Sequence, residues 1–183
     1  MPAELRKRLT ERFRWTDPGP ASTHLVSDMS GWWRDPDILA EIGPALADLF
    51  QPVRPTVVIA PEVTGLMIGP LVATVLGVGF LPAYKNTGDR RIAEPTTWAT
   101  TSTDYRGRRL ALGVRDRHLG PSDRVLVVDD WVATGAQLRA LYQVVEARGG
   151  TVVGTAAIVA DCPPEVAREL RVRSLLDGRD LDP

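Results

Sequence analysis

Hydrophobic positions along this chain follow two rhythms in turn, and the alternation predicts an α/β fold. Leu5, Leu9 and Phe13 fall four apart, one stripe of a short helix over residues 4–14. Residues 37–50 repeat the helical spacing with Ile38, Ile42, Leu46 and Leu49. Thr56 to Ala60 is a short β-branched run that reads as a strand, Leu66 to Leu76 an apolar helix ending at Gly77, and Gly79 to Tyr84 the next strand. Strand-like runs recur at 108–114, 124–130 and 151–159, with a last short one at 173–176. A helix over about 136–148 is stopped by Gly149-Gly150. Strands alternating with helices imply βαβ units and a mostly parallel sheet. Two segments keep neither rhythm. Residues 15–36 are rich in turn formers, and residues 86–107 are polar, with Gly88, Pro95 and Gly107 as breakers. The second reads as a functional lid or a flexible hairpin. No repeat or linker divides residues 1–183, so one domain is expected.

Composition narrows the class. With 44% hydrophobic and 25% charged residues, the chain suits a globular protein. A formal net charge of −1 gives no global pull toward nucleic acid or membrane. The single cysteine, Cys162, excludes an internal disulfide and a Cys-rich metal site, and reads as structural. The N-terminal MPAELRKRLTERF is charged and amphipathic, unlike a signal peptide or a membrane span, so a cytoplasmic location is expected. His24 and His118 lack ligand spacing, and His118 reads as a solvated loop residue.

The chemistry concentrates in residues 124–137, RVLVVDDWVATGAQ. The apolar run Val125 to Val128 reads as a buried parallel strand ending in Asp129 and Asp130. Ligands of open α/β sheets sit at the carboxyl ends of strands, so both acids lie where a ligand binds. The small residues Ala133-Thr134-Gly135-Ala136 let backbone N–H groups approach an anion, and the following helix N-terminus favours a phosphate. Acids for a diol or a metal beside a cradle for one phosphate suit a sugar phosphate. Two rival motifs fail. A Walker loop needs Gly-Lys-Ser/Thr after a glycine and four residues, but the only lysines, Lys7 and Lys85, stand in no such pattern. A receiver domain of two-component signalling needs a lysine beyond a later phosphoacceptor strand, and none follows Lys85.

The 124–137 stretch resembles the 5-phosphoribosyl 1-diphosphate (PRPP) motif of type I phosphoribosyltransferases. The likeness runs from about Val26 to Leu176 and is greatest to the adenine phosphoribosyltransferase group. It is carried by Asp28-Met29-Ser30, Asp35-Pro36, Gly65-Leu66, Gly69-Pro70, the 76–80 run LGVGF, Lys85, the 95–99 run PTTWA, Asp104-Tyr105 and the 149–154 run GGTVVG. The resemblance implies an open doubly wound sheet of about five mostly parallel strands. A small N-terminal hood (about 1–36) would cover a core (about 37–183) that carries a flexible lid (about 86–107).

The resemblance also implies substrates and roles. PRPP and a purine-like nitrogenous base would be the partners, with Mg²⁺ on the pyrophosphate and no residue assigned to the metal directly. Asp129 and Asp130 would grip the ribose diol, and Ala133, Thr134, Gly135, Ala136 and Gln137 would hold the 5′-phosphate. Glu62, Val63, Thr64, Gly65 and Lys85 would handle pyrophosphate. Val26 and Ser27 of the hood, with Trp131, would face the base. Arg90, Arg91 and Tyr105 fall in the lid, as site groups or as ordinary solvated residues. A general base is not identified, though Asp130 stands as a candidate. Family members are commonly dimers, so a homodimer is expected.

Four positions depart from the adenine group's pattern. Thr64 stands where an arginine is usual, Val26 where an aromatic stacks on the base, and Thr101 where the lid carries a tyrosine. The phosphate loop reads Thr134-Gly135-Ala136-Gln137 instead of Thr-Gly-Gly-Thr. Trp32, Trp33, Trp98 or Trp131 could supply the missing stacking or simply pack. Three readings stay open: a Mg²⁺-dependent transferase releasing pyrophosphate and forming a nucleoside 5′-monophosphate, a non-catalytic PRPP or nucleotide sensor, and a transferase of specialised metabolism with an unusual acceptor.

Overall fold

A computed structural model describes residues 3–20, 25–86, 92–102 and 109–181. A seven-stranded sheet forms its centre: β3 (Val57–Pro61), β4 (Gly79–Asn86), β5 (Thr96–Thr100), β6 (Ala111–Arg115), β7 (Arg124–Val132), β8 (Thr151–Ala160) and β9 (Val172–Asp177). The spatial order is β5-β6-β4-β3-β7-β8-β9. The five strands from β4 to β9 pair in parallel, as the βαβ pattern implies. β5 and β6 continue the sheet antiparallel beside β4.

That extension places part of residues 86–107, the polar segment read as a lid or a flexible hairpin, in the sheet. Thr96–Thr100 is a strand, β-branched at three of its five positions, and it pairs with β6 in register. Trp98 lies opposite Gly113, and a Cβ on that glycine would collide with the indole. The missing side chain thus makes room for the ring.

The sheet is buried on both faces, and the alternation of each strand decides which residue goes where. Val58, Ala60, Leu126, Val128, Ala156 and Ile158 pack with α3 (Pro36–Asp48), α4 (Gly65–Leu76) and the N-terminal α1 (Ala3–Arg12). Val57, Ile59, Val125, Val127 and Ala157 face the opposite way, onto Leu138, Leu141, Val144 and Val145 of α5 (Ala136–Ala147). Asp35 starts α3 by accepting from the amides of Asp37 and Ile38, and Pro36 is pre-set for the first helical position. A short helix α6 (Pro164–Glu169) precedes β9, and a 3₁₀ turn, Gly178–Leu181, follows it.

The segment read as turn-rich holds more structure than its pattern shows. β1 (Arg14–Thr16) and β2 (Val26–Asp28) form a separate antiparallel ribbon, followed by α2 (Ser30–Arg34). Strands this short carry too few alternating positions to be seen by periodicity. Aromatic packing ties the ribbon to the sheet. Phe13 stacks on Trp131 with ring centroids 5.8 Å apart, and Trp15 meets Trp131 edge-on at 5.9 Å. Trp32 is fully buried, and its indole N–H donates to the Leu9 carbonyl (2.8 Å). Among the described residues no helix is long and apolar enough to cross a membrane.

Candidate active site

The carboxyl ends of the parallel strands open into a cleft of about 560 Å³. Glu62, Val63, Thr64, Gly65, Lys85, Asp129, Asp130, Trp131, the whole 133–137 loop, Val26 and Ser27 all line it. The structure therefore gathers in one place residues that the sequence singled out in four separate segments. Arg90, Arg91, Tyr105 and His24 lie outside the described residues.

At the floor, Asp129 and Asp130 end the buried part of β7. Asp129 is only 5% exposed, whereas Asp130 is half-buried. Burial pushes the Asp129 carboxyl well above the usual range, and the neighbouring Asp130 charge adds to the rise. Lys85 acts in the opposite direction. The Asp130 amide donates to Asp129 Oδ1 at 3.1 Å, which orients the first carboxylate along the strand end.

The phosphate loop owes its shape to one glycine. Gly135 takes φ 72°, a left-handed conformation, and acts as N-cap of α5 without any side-chain cap. The first helical N–H groups of α5 thus point to the cleft with an anion-binding polarity. The Ala136 amide reaches Thr134 Oγ1 at 3.3 Å. Ala136 keeps negative φ, so its methyl, where the family carries glycine, causes no backbone strain. Gln137 Oε1 is buried without a hydrogen-bond partner, a polar group that a ligand would satisfy directly or with the amide turned over. Arg139 braces the loop from outside. It donates to the Thr134 carbonyl (2.8 Å) and makes a two-pronged pair with Glu169 (2.8 and 2.6 Å).

The second loop joins β3 to α4. The Glu62–Val63 peptide bond is cis, and Thr64 and Gly65 begin α4, again without a side-chain cap. A Cβ on Gly65 would come within 3.1 Å of both Ala60 and Pro61. The Glu62 carboxylate accepts from the Lys85 amide at 2.8 Å, which links this loop to the end of β4. Lys85 is the one cationic side chain lining the cleft among the described residues.

Some candidates serve the fold instead. Trp32, Trp33 and Trp98 are absent from the described cleft wall and pack among aromatics or on Gly113. Thr101, aligned with a lid tyrosine, is 3% exposed. Its amide donates to the Leu110 carbonyl (2.7 Å) and its hydroxyl accepts from the Leu110 amide (3.0 Å). It is a strand-end clasp between the two arms of the β5–β6 hairpin. Cys162 is a half-buried free thiol, and His118 is engaged by Arg117 at 2.9 Å on the exposed surface.

Sequence reasoning passed over Trp15, Leu25, Met29, Leu110 and Asp161, all of which line the cleft. Trp15 reaches it because its indole N–H donates to the Leu181 carbonyl at 2.6 Å, a contact across almost the whole chain. Only Asp161 had a local signal, since a carboxylate follows the apolar strand at 151–160 as Asp129 follows the one before it.

The chain is similar to known phosphoribosyltransferases. The family model described as a phosphoribosyl transferase domain matches residues 34–173. The adenine phosphoribosyltransferase of Oenococcus oeni (strain ATCC BAA-331 / PSU-1) is 32% identical over 142 residues, covering 74% of this chain and 78% of the relative. That of Natranaerobius thermophilus is 31% identical over 137 residues, covering 75% and 77%. Among solved structures, adenine phosphoribosyltransferase from Rhodothermus marinus DSM 4252 superposes with a TM-score of 0.80 at 26% identity, covering 96% of this chain and 99% of that one. The Trypanosoma brucei enzyme, crystallised with AMP, pyrophosphate and ribose-5-phosphate, gives 0.83 at 21% identity, covering 97% and 81%, a likeness of fold.

Proposed function

We propose that this chain, which belongs to the phosphoribosyltransferase family, transfers the 5-phosphoribosyl group of PRPP to a purine-like nitrogenous base. Pyrophosphate leaves and a nucleoside 5′-monophosphate forms. The observation that carries the reading is the convergence of an acid pair, an uncapped helix N-terminus and the Glu62–Lys85 corner on one cleft.

Each part has a task in that reaction. A ring nitrogen of the base attacks C1′ of the ribose, the C1′–oxygen bond to pyrophosphate breaks with its electron pair, and the ring proton of the base passes to the departing pyrophosphate or to water. Positive charge builds on the ribose as the bond breaks. Asp129 and Asp130 hold the ribose hydroxyls and offset that charge. The 133–137 loop anchors the 5′-phosphate through backbone N–H groups, which fixes C1′ relative to the base. Lys85 meets the departing pyrophosphate, and the 62–65 loop presents the uncapped amides of α4 to the same group.

The donor set also fits Mg²⁺. No group of three or more acidic, His or Cys ligands occurs among the described residues. One or two carboxylates together with substrate phosphates are the usual surroundings of this ion, and Asp129 and Asp130 would provide the protein's share. When bound, the ion supplies charge neutralisation on the diphosphate. An N-terminal hood over residues 1–36, a lid over 86–107 that keeps water from C1′, and a homodimer complete the reading.

A second reading keeps PRPP binding without transfer. Thr64 in place of arginine favours it, because the described cleft then holds a single cation, Lys85, against several carboxylates. Pyrophosphate release from PRPP with Mg²⁺, followed across purines, pyrimidines and other azoles, separates the two. Base-dependent release that is abolished in Asp129→Asn/Asp130→Asn establishes the transferase. PRPP binding by calorimetry with no release across the panel sinks it.

A further inference from the structure

We infer that Asp161, at the end of β8, selects the acceptor, favouring rings that turn an exocyclic amino group toward it. This rests on the transferase reading above.

Strand order places the charged groups in a line across the cleft. Lys85 ends β4, Glu62 follows β3, Asp129 and Asp130 lie on β7, and Asp161 follows β8. The diphosphate groups occupy one side and the ribose and 5′-phosphate groups the middle, which leaves the Asp161 side for the acceptor. The aromatic walls stand on that same side. The Asp161 amide donates to the Val132 carbonyl at 2.8 Å, which seats it beside Trp131. Its carboxylate rests against Gly178, where any Cβ would collide with Oδ1. Gly178 opens the 3₁₀ turn that ends at Leu181, and the Leu181 carbonyl receives the Trp15 indole N–H. Asp161, Trp131 and Trp15 are thus held by one connected piece of structure, and all three line the cleft.

The chemistry of this corner is one-sided. Flat apolar walls suit a heteroaromatic ring. An ionised carboxylate only accepts hydrogen bonds. Among the described residues no side chain or amide hydrogen-bonds to the Asp161 carboxylate or pairs with it, so its acceptor capacity is open to a ligand. A ring that offers an amino group gains a charge-assisted bond there. A ring that offers a carbonyl at the same place sets lone pair against lone pair and is rejected.

The test compares adenine with hypoxanthine, which differ in a 6-amino against a 6-oxo group. Both are measured by PRPP-dependent pyrophosphate release and by quenching of tryptophan fluorescence in the presence of PRPP and Mg²⁺. Asp161 is exposed, so Asp161→Asn and Asp161→Leu are expected to fold with unchanged melting temperature. The wild type is expected to favour adenine, and both variants to lower the adenine/hypoxanthine ratio of kcat/KM by about tenfold or more. The change should fall on the KM of the base, with the KM of PRPP unmoved. A ratio unaltered in both variants, or a wild-type preference for hypoxanthine, overturns the inference. If no base supports release yet adenine quenches more strongly than hypoxanthine and Asp161→Asn erases the difference, the transferase reading fails and the inference stands. Absence of discrimination in both readouts overturns the inference itself.

Discussion

The backbone amide of Lys85 donates a 2.8 Å hydrogen bond to the carboxylate of Glu62, 23 residues earlier. The bond holds the ends of two parallel strands, β3 and β4, at a fixed distance where the cleft opens. It also makes the loop bearing Thr64 and the strand bearing Lys85 a single unit facing the pyrophosphate side. Thr64 is therefore well placed to test the charge balance of that unit. Thr64→Arg adds the cation whose place it takes and is expected to lower the KM for PRPP by about tenfold, as for one charge-assisted contact. Initial rates of pyrophosphate release against PRPP concentration measure it, and an unchanged KM would mean that position 64 does not face the diphosphate.

Asp129 sets a pH dependence of stability. Its folded carboxyl is raised by burial first and by Asp130 second. A raised carboxyl binds its proton more tightly in the folded state, so its contribution is complete below the unfolded value of 3.8 and is lost as pH rises through the folded value. Asp129→Asn removes that loss. The variant is expected to melt above the wild type at neutral pH, with a gap that closes on acidification, while activity falls by 100-fold or more, about the loss of one transition-state charge contact. Melting curves at several pH values decide it; a gap independent of pH speaks against the burial argument.

Gly135→Ala should damage the phosphate cradle without touching a functional side chain. A Cβ there would lie 2.6 Å from Leu170 Cδ1 and 2.9 Å from Val166 Cγ1, at φ 72°. The left-handed conformation alone costs about 1–2 kcal/mol for a residue with a Cβ. Denaturant unfolding is expected to show a loss of at least that size, and calorimetry a weaker grip on PRPP. Wild-type stability in this variant would contradict the assigned backbone conformation.

Thr101→Tyr, which restores the residue usual in the family, is expected to fail. The site is 3% exposed, and both the amide and the hydroxyl of Thr101 are committed to Leu110. Forcing a phenol ring into it should cost about 1–3 kcal/mol by overpacking. The variant should melt lower and show no gain in kcat. A gain in kcat with no loss of stability would place position 101 in the reaction after all.

Much of this was legible from local pattern. The runs at 125–128 and 151–159 alternate between the two faces of the sheet, and a strand buried on both sides is apolar at most positions. The acid pair and the small-residue loop were legible for the same reason, since strand, acids, turn and helix N-terminus lie in one stretch of 14 residues from 124 to 137. Spacing within so short a stretch survives folding unchanged. Glu62 and Lys85 were matched to the cleft by the resemblance to type I phosphoribosyltransferases, not by local pattern.

Long-range packing decided the rest. Trp15 is a cleft wall because Leu181, 166 residues away, accepts its indole N–H, and the β1–β2 ribbon is seated by the stack of Phe13 on Trp131. Thr101 is a clasp only because Leu110 returns beside it. Asp161 joins the line of carboxylates because β8 lies next to β7 in the sheet. A sequence states which residues are polar or flat, but hydrogen bonds and ring contacts between distant segments depend on where the chain returns, and only the packed sheet settles that.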